Sequence, residues 1–179
     1  MELEKIILGG GCFWCTEAVF QQIRGIKSVE PGYAGGHVDF PTYEEICEGD
    51  TGHVEVVRLT FDTKIVSYDL LLSIFFAIHD PTTLNRQGSD VGSQYRSVIY
   101  CESPQQMKTA LAAVKKAATD WEAPVLTEVA IAPAFYPAEE YHQNYFKLNK
   151  HQSYCTMVVA PKVDKARNFF TGKSTACVA

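Results

Sequence analysis

Strand-like and helix-like segments alternate along almost the whole chain, and that alternation restricts the fold more than any other feature. The clearest strand covers residues 53–61. His53, Glu55, Val57, Leu59 and Phe61 share one face there, and Val54, Val56, Arg58 and Thr60 share the other. Short strands are also expected at 5–8, 96–101, 128–131 and 157–160. Helices are expected from Cys12 onward (Cys15, Val19 and Ile23 form a stripe joined by Phe20), at 67–78, after Ser103-Pro104-Gln105-Gln106, at 138–148 and at 161–170. The helix after Ser103 is expected to bury Met107, Leu111, Val114 and Ala118. Residues 31–53 read as a long loop with one helical turn at 43–47, and 82–94 as a polar loop. Alternation of this kind favours an α/β or α+β sandwich, with helices packed on one sheet.

A chain of 179 residues suits a single domain, expected over 1–171, with 172–179 as a mobile tail. Net charge is −5, so there is no electrostatic reason to expect binding to nucleic acid or an anionic membrane. The longest apolar run, residues 70–78, is broken by Ser73 and is far short of the ~18 residues of a membrane span. The acidic opening Met1-Glu2-Leu3-Glu4-Lys5 does not read as a signal peptide, so a cytoplasmic location is expected. Cysteines stand at positions 12, 15, 47, 101, 155 and 177. In this setting they are expected to be reduced, and buried, catalytic or metal-binding.

The strongest local signal is Gly9-Gly10-Gly11-Cys12-Phe13-Trp14-Cys15. A strand, a glycine turn and a helix start put Cys12 at a helix N-terminus, where free N–H groups and the helix dipole favour a thiolate. The same residues form a Cys-x-x-C, open to reading as a dithiol pair, half a zinc site or coincidence. No second Cys-x-x-C exists to complete a zinc site. Glu55 is the second anomaly: a carboxyl on an apolar strand face should have a raised pKa and act as a proton donor, unless an ion pair or solvent meets it. Arg86, Asp90, Tyr95 and Tyr43 lie in glycine-containing loops, and His142 and Gln143 on a late helix.

Gly10-Gly11-Cys12-Phe13-Trp14 resembles the active-site motif of the A-type peptide methionine sulfoxide reductases. Matching stretches follow in order: Gly32-Tyr33-Ala34-Gly35-Gly36, Pro41-Thr42-Tyr43, Thr51-Gly52-His53-Val54-Glu55, His79-Asp80-Pro81, Asp90-Val91-Gly92-Ser93-Gln94-Tyr95-Arg96-Ser97 and Phe135-Tyr136-Pro137-Ala138-Glu139-Glu140-Tyr141-His142-Gln143. The resemblance implies a ferredoxin-like α/β sandwich and thiol-dependent reduction of methionine-S-sulfoxide, free or in proteins, as a repair of oxidative damage. It implies Cys12 as nucleophile and Glu55 as the acid that protonates the sulfoxide oxygen. Tyr43 and Tyr95 would bond that oxygen, Asp90 would support the network, and Phe13 and Trp14 would hold the methyl group. A sulfenic acid on Cys12 would then be closed into a disulfide by a second thiol and reopened by thioredoxin or a similar dithiol. No metal or organic cofactor is implied. The resemblance points to Cys155 as the recycling thiol, with Cys15 and Cys177 as alternatives. Many relatives carry glycine where this chain has Cys15, and a glycine-rich segment where it has Thr156-Met157-Val158-Val159. A rival reading is a dithiol–disulfide oxidoreductase working through Cys12 and Cys15 on protein thiols.

Overall fold

The computed structural model describes residues 2–171. The expected mobile tail, 172–179, and the candidate thiol Cys177 lie outside the described residues. Along the chain come β1 (Leu3–Gly10), α1 (Phe13–Phe20), β2 (Ile26–Ala34), α2 (Tyr43–Glu48), β3 (Val54–Asp62), α3 (Tyr68–Ile78), β4 (Arg86–Gln87) and β5 (Asp90–Val91). Then follow β6 (Ser97–Cys101), α4 (Pro104–Ala117), β7 (Glu128–Ile131), β8 (Phe135–Pro137), α5 (Tyr145–Leu148) and α6 (Ala160–Thr171). Six strands form one mixed sheet in the order β7-β6-β1-β3-β2-β8, and β4 pairs with β5 in a separate small hairpin. Among the described residues, only the β6–β7 pairing is parallel. The class is α+β.

The alternation read in β3 places its two faces correctly. Val57, Leu59 and Phe61 join Ile6, Leu8 and Ile99 beneath α1, α3 and α6, where Val19, Phe20, Leu71, Phe75, Val163 and Ala166 are buried. Each fully buried Leu or Phe contributes about 1.5–3 kcal/mol. Val54 and Val56 face the other way, with Ile7, Val98, Tyr100 and, partly buried, Phe135. Helix starts follow local chemistry. The side chains of Thr42, Ser67 and Ser103 accept N–H bonds three residues on and cap α2, α3 and α4.

Several segments differ from the sequence reading, each for a tertiary reason. β2 runs into the stretch read as a loop. Pro31 and Gly32 disguise it, but Gly32 is needed there because a Cβ would come within 2.4 Å of the Phe135 ring. Residues 138–148 do not form one helix. Asn144 adopts φ 56, and its N–H and that of Tyr145 donate to the Glu17 carboxylate on α1 (2.7 and 3.2 Å). Those bonds replace the continuation of a helix. Residues 157–160 are helical rather than extended. Cys155–Val159 form a π-helical stretch leading into α6, and Val159, Val163 and Ala166 are buried at helical spacing. Pro161, which has no N–H to give, follows the widened turn. In α4 the fully buried residues are Gln106, Ala110 and Ala117, with Met107 and Val114 partly covered. Leu111 is exposed, because at 3.6 residues per turn it lies roughly a third of a turn round α4 from Gln106, Ala110 and Ala117.

Candidate active site

The site begins at the C-terminal end of β1. Gly11 adopts φ 95, and a Cβ there would lie 2.6 Å from the Gln87 side chain, so only glycine fits the turn. Cys12 follows as the N-cap of α1, with non-helical φ −56 and ψ 127. The next N–H, that of Phe13, donates to Glu55 Oε2 at 3.1 Å. Glu55 reaches this helix end from β3, where it sits opposite Tyr33 in the sheet register.

One cavity of about 200 Å³ is lined by Cys12, Phe13, Trp14, Tyr43, Glu55, Asp90, Tyr95 and Tyr154. The structure therefore brings all seven residues expected at the reaction centre to one place, from α1, α2, β3, the β4–β5 hairpin and the turn at Ser93–Tyr95. Tyr154 is the lining residue that the sequence reading did not single out. Its only sequence signal is its place before Cys155. Its hydroxyl donates to Asp90 Oδ2 at 2.7 Å and lies against the Cys12 and Cys15 thiols.

Glu55 is 2 % exposed, and burial pushes its pKa up to about 8 despite the Phe13 N–H bond, with Asp90 and Cys15 adding to the rise. At neutral pH it is mostly a neutral acid, as its strand position suggests. Burial likewise holds the Tyr43 and Tyr95 phenols protonated, so each keeps an O–H to donate. Cys12 departs from expectation. Burial raises its pKa well above that of a free thiol, and contacts with Cys15 and Glu55 add to this. The helix end gives Phe13 N–H to Glu55 rather than to a thiolate, and the covered floor disfavours charge. Cys15 moves the other way, lowered chiefly by the Cys12 thiol beside it.

Trp14 is held from three sides. Its Nε1–H donates to His142 Nδ1 at 3.0 Å, its ring stacks on Tyr145 at 3.7 Å, and Tyr154 meets it edge-on at 5.6 Å. His142 is buried and also touches the rings of Phe13 and Tyr43. Glu139 accepts from Tyr33 hydroxyl (2.9 Å) and Tyr43 N–H (3.0 Å), which ties the loop before α5 to both aromatic walls. Cys155 is buried beneath this layer, and Cys101 is buried in β6 with its sulfur 3.5 Å from Tyr68 hydroxyl. Cys47 is exposed on α2. Arg86 is exposed and bonds Gly88 within the β4–β5 hairpin, away from the cavity lining. Gln143 bonds the carbonyls of Pro31 and Ala138.

A buried thiol and a carboxylic acid kept neutral by burial, facing one aromatic-walled cavity, suit a thiol oxidoreductase. The family model for peptide methionine sulfoxide reductase matches residues 4–174. A peptide methionine sulfoxide reductase MsrA of Leptospira borgpetersenii is 54% identical over 163 residues, covering 91% of this chain and 93% of its own. That of Polynucleobacter asymbioticus is 56% identical over 170 residues, covering 94% and 90%. Among solved structures, Mxr1 from Saccharomyces cerevisiae in reduced form superposes with TM-score 0.82 at 33% identity, over 86% of this chain and 90% of that one. Methionine sulfoxide reductase A of Corynebacterium diphtheriae gives 0.77 at 35% identity, over 84% and 76%. The chain belongs to the peptide methionine sulfoxide reductase family.

Proposed function

We propose that this chain reduces methionine-S-sulfoxide, free or in proteins, to methionine with Cys12 as nucleophile, and so repairs oxidised proteins. One observation carries the reading: a carboxylic acid kept neutral by burial shares a small aromatic cavity with a thiol at a helix cap. A sulfoxide oxygen leaves poorly unless protonated, and a neutral Glu55 has the proton to give. In this reading the oxygen bonds to Glu55, Tyr43 and Tyr95, with Asp90 holding the network through Tyr154. The methyl group rests against Phe13 and Trp14. Cys12 attacks the sulfur as Glu55 protonates the oxygen, and the Glu55 carboxylate takes up the thiol proton. The oxygen ends on Cys12 as a sulfenic acid and methionine leaves, so Cys–SH and R₂S=O become Cys–SOH and R₂S. A second thiol, from Cys155, Cys15 or Cys177, then closes a disulfide with loss of water. Thioredoxin or a similar dithiol reopens it by exchange.

The reading includes three further parts. The catalytic unit is one domain over residues 1–171. Its core is a ferredoxin-like sandwich, supported by the order β1-α1-β2-β3-α3-β6 with sheet neighbours β6-β1-β3-β2. A cytoplasmic setting suits chemistry that must return Cys12 to the thiol between turnovers. Among the described residues, no helix is long and apolar enough to cross a membrane. The test is a single turnover with resolved epimers of a methionine sulfoxide peptide. One equivalent of methionine should form from the S epimer and almost none from the R epimer. Reduction of insulin disulfides with no methionine formed would favour the dithiol–disulfide reading instead.

A further inference from the structure

The family reading leaves open which thiol meets the sulfenic acid first. Cys12 and Cys15 occupy a single closed turn, with Cys15 N–H donating to Cys12 carbonyl at 3.1 Å. Residues three apart on a helix have β-carbons about 5–6 Å apart, and a disulfide needs about 3.5–4.5 Å. Cys12 is the cap, with φ and ψ outside the helical region, so rotation at this one residue can close the gap without unwinding α1. Both thiols are buried in the same cluster, at 7 % and 1 % exposure.

Cys155 is placed differently. It is fully buried at the start of the π-helical stretch, and its carbonyl accepts Ala160 N–H. Burial raises its pKa, and Cys15 nearby adds to the rise. Tyr154, immediately before it, is anchored to Asp90 and to the edge of Trp14. A π-helical insertion is a feature often found at functional positions, where a helix has a second arrangement within reach.

We propose that Cys15 is the thiol that closes the disulfide on Cys12, with Cys155 next in line to take that disulfide over from Cys15. The proposal rests on the sulfoxide-reductase reading above. The Cys15 thiolate attacks the Cys12 sulfenic sulfur, the S–O bond breaks, and hydroxide leaves with a proton as water. The Cys155 thiolate then attacks the Cys15 sulfur and Cys12 departs as a free thiol, so no electrons are gained or lost in the second step. The Cys12 thiol, the chief cause of the lowered Cys15 pKa, is consumed on oxidation, but Lys162 and the Tyr154 hydroxyl still favour the Cys15 thiolate, the attacking form.

The test oxidises the full chain with one equivalent of methionine-S-sulfoxide peptide and no reductant, followed by rapid alkylation, disulfide mapping and methionine counting. A Cys155→Ser, Cys177→Ser double variant should release one equivalent of methionine and form a Cys12–Cys15 disulfide. Cys15→Ala should release its equivalent of methionine and leave a sulfenic acid on Cys12, trapped by dimedone, with disulfide formation slowed at least 100-fold. A Cys12–Cys155 or Cys12–Cys177 disulfide formed at the wild-type rate in Cys15→Ala would overturn the proposal, as would a trapped sulfenic acid in the double variant. Thermal unfolding of each variant distinguishes a lost thiol from a lost fold, and the double variant tests Cys15 without altering it. Failure of the wild type to release methionine would instead overturn the sulfoxide-reductase reading.

Discussion

Replacing Glu55 by Gln tests the proposed acid most directly. Gln keeps the size and still accepts the Phe13 N–H bond at 3.1 Å, so the cavity should hold its shape. What goes is a proton whose pKa burial has pushed up to about 8. A positioned acid is typically worth about 10²–10⁴-fold, and methionine release in a single turnover should slow by that factor, with substrate affinity changed less. The pH dependence gives a second readout. The working form carries protons on both Glu55 and Cys12, so the wild-type rate should be level below about pH 8 and fall about tenfold per unit above it. Glu55→Gln should be slow and lack that inflection. Stability moves with the same proton. The folded-state pKa lies above the ordinary value of 4.5, so the native state binds more protons between pH 4.5 and 8, and stability falls as pH rises through that window. At about 1.4 kcal/mol per unit, the cost is on the order of 3 kcal/mol at pH 7. Glu55→Gln, which carries no charge to bury, should be spared it. Stopped-flow methionine release from pH 5.5 to 9.5 and urea melts at pH 5 and 8 would measure both. If Glu55→Gln releases methionine at the wild-type rate, or the two proteins share one pH-stability profile, the buried acid is not the donor.

Cys12→Ser should abolish methionine release, whereas Cys47→Ser should turn over normally and Cys101→Ser should turn over with a lower melting temperature. Steady-state assays with dithiothreitol separate these outcomes, and near-normal activity in Cys12→Ser would remove the assignment. His142→Leu should unmoor the Trp14 indole by removing its 3.0 Å acceptor, raising KM several-fold with a smaller change in kcat. Gly11→Ala should destabilise the fold by about 1–3 kcal/mol in urea melts, because it combines positive φ with a contact at 2.6 Å from Gln87. An unchanged midpoint would mean the turn has another conformation available.

The sequence by itself determined the pieces whose causes are local. Period-two patterning in β3 put Glu55 on the buried face with Val57 and Leu59, and capping residues marked the starts of α3 and α4. The glycine turn before Cys12 marked a helix end. The ordered motifs, through the family they resemble, singled out Cys12, Phe13, Trp14, Tyr43, Glu55, Asp90 and Tyr95 as one set, and the cavity is lined by all of them. Tertiary structure decided whatever depended on partners far along the chain. β2 is a strand because β3 and β8 flank it, despite Pro31 and Gly32. The Glu17 carboxylate fixes where α5 starts, more than 120 residues away, by taking the N–H groups of Asn144 and Tyr145. The charge state of Cys12 also escaped local reasoning. A helix end favours a thiolate, as does the Tyr154 hydroxyl, but burial beside Cys15 and Glu55 favours the thiol, and only their assembly shows that desolvation prevails.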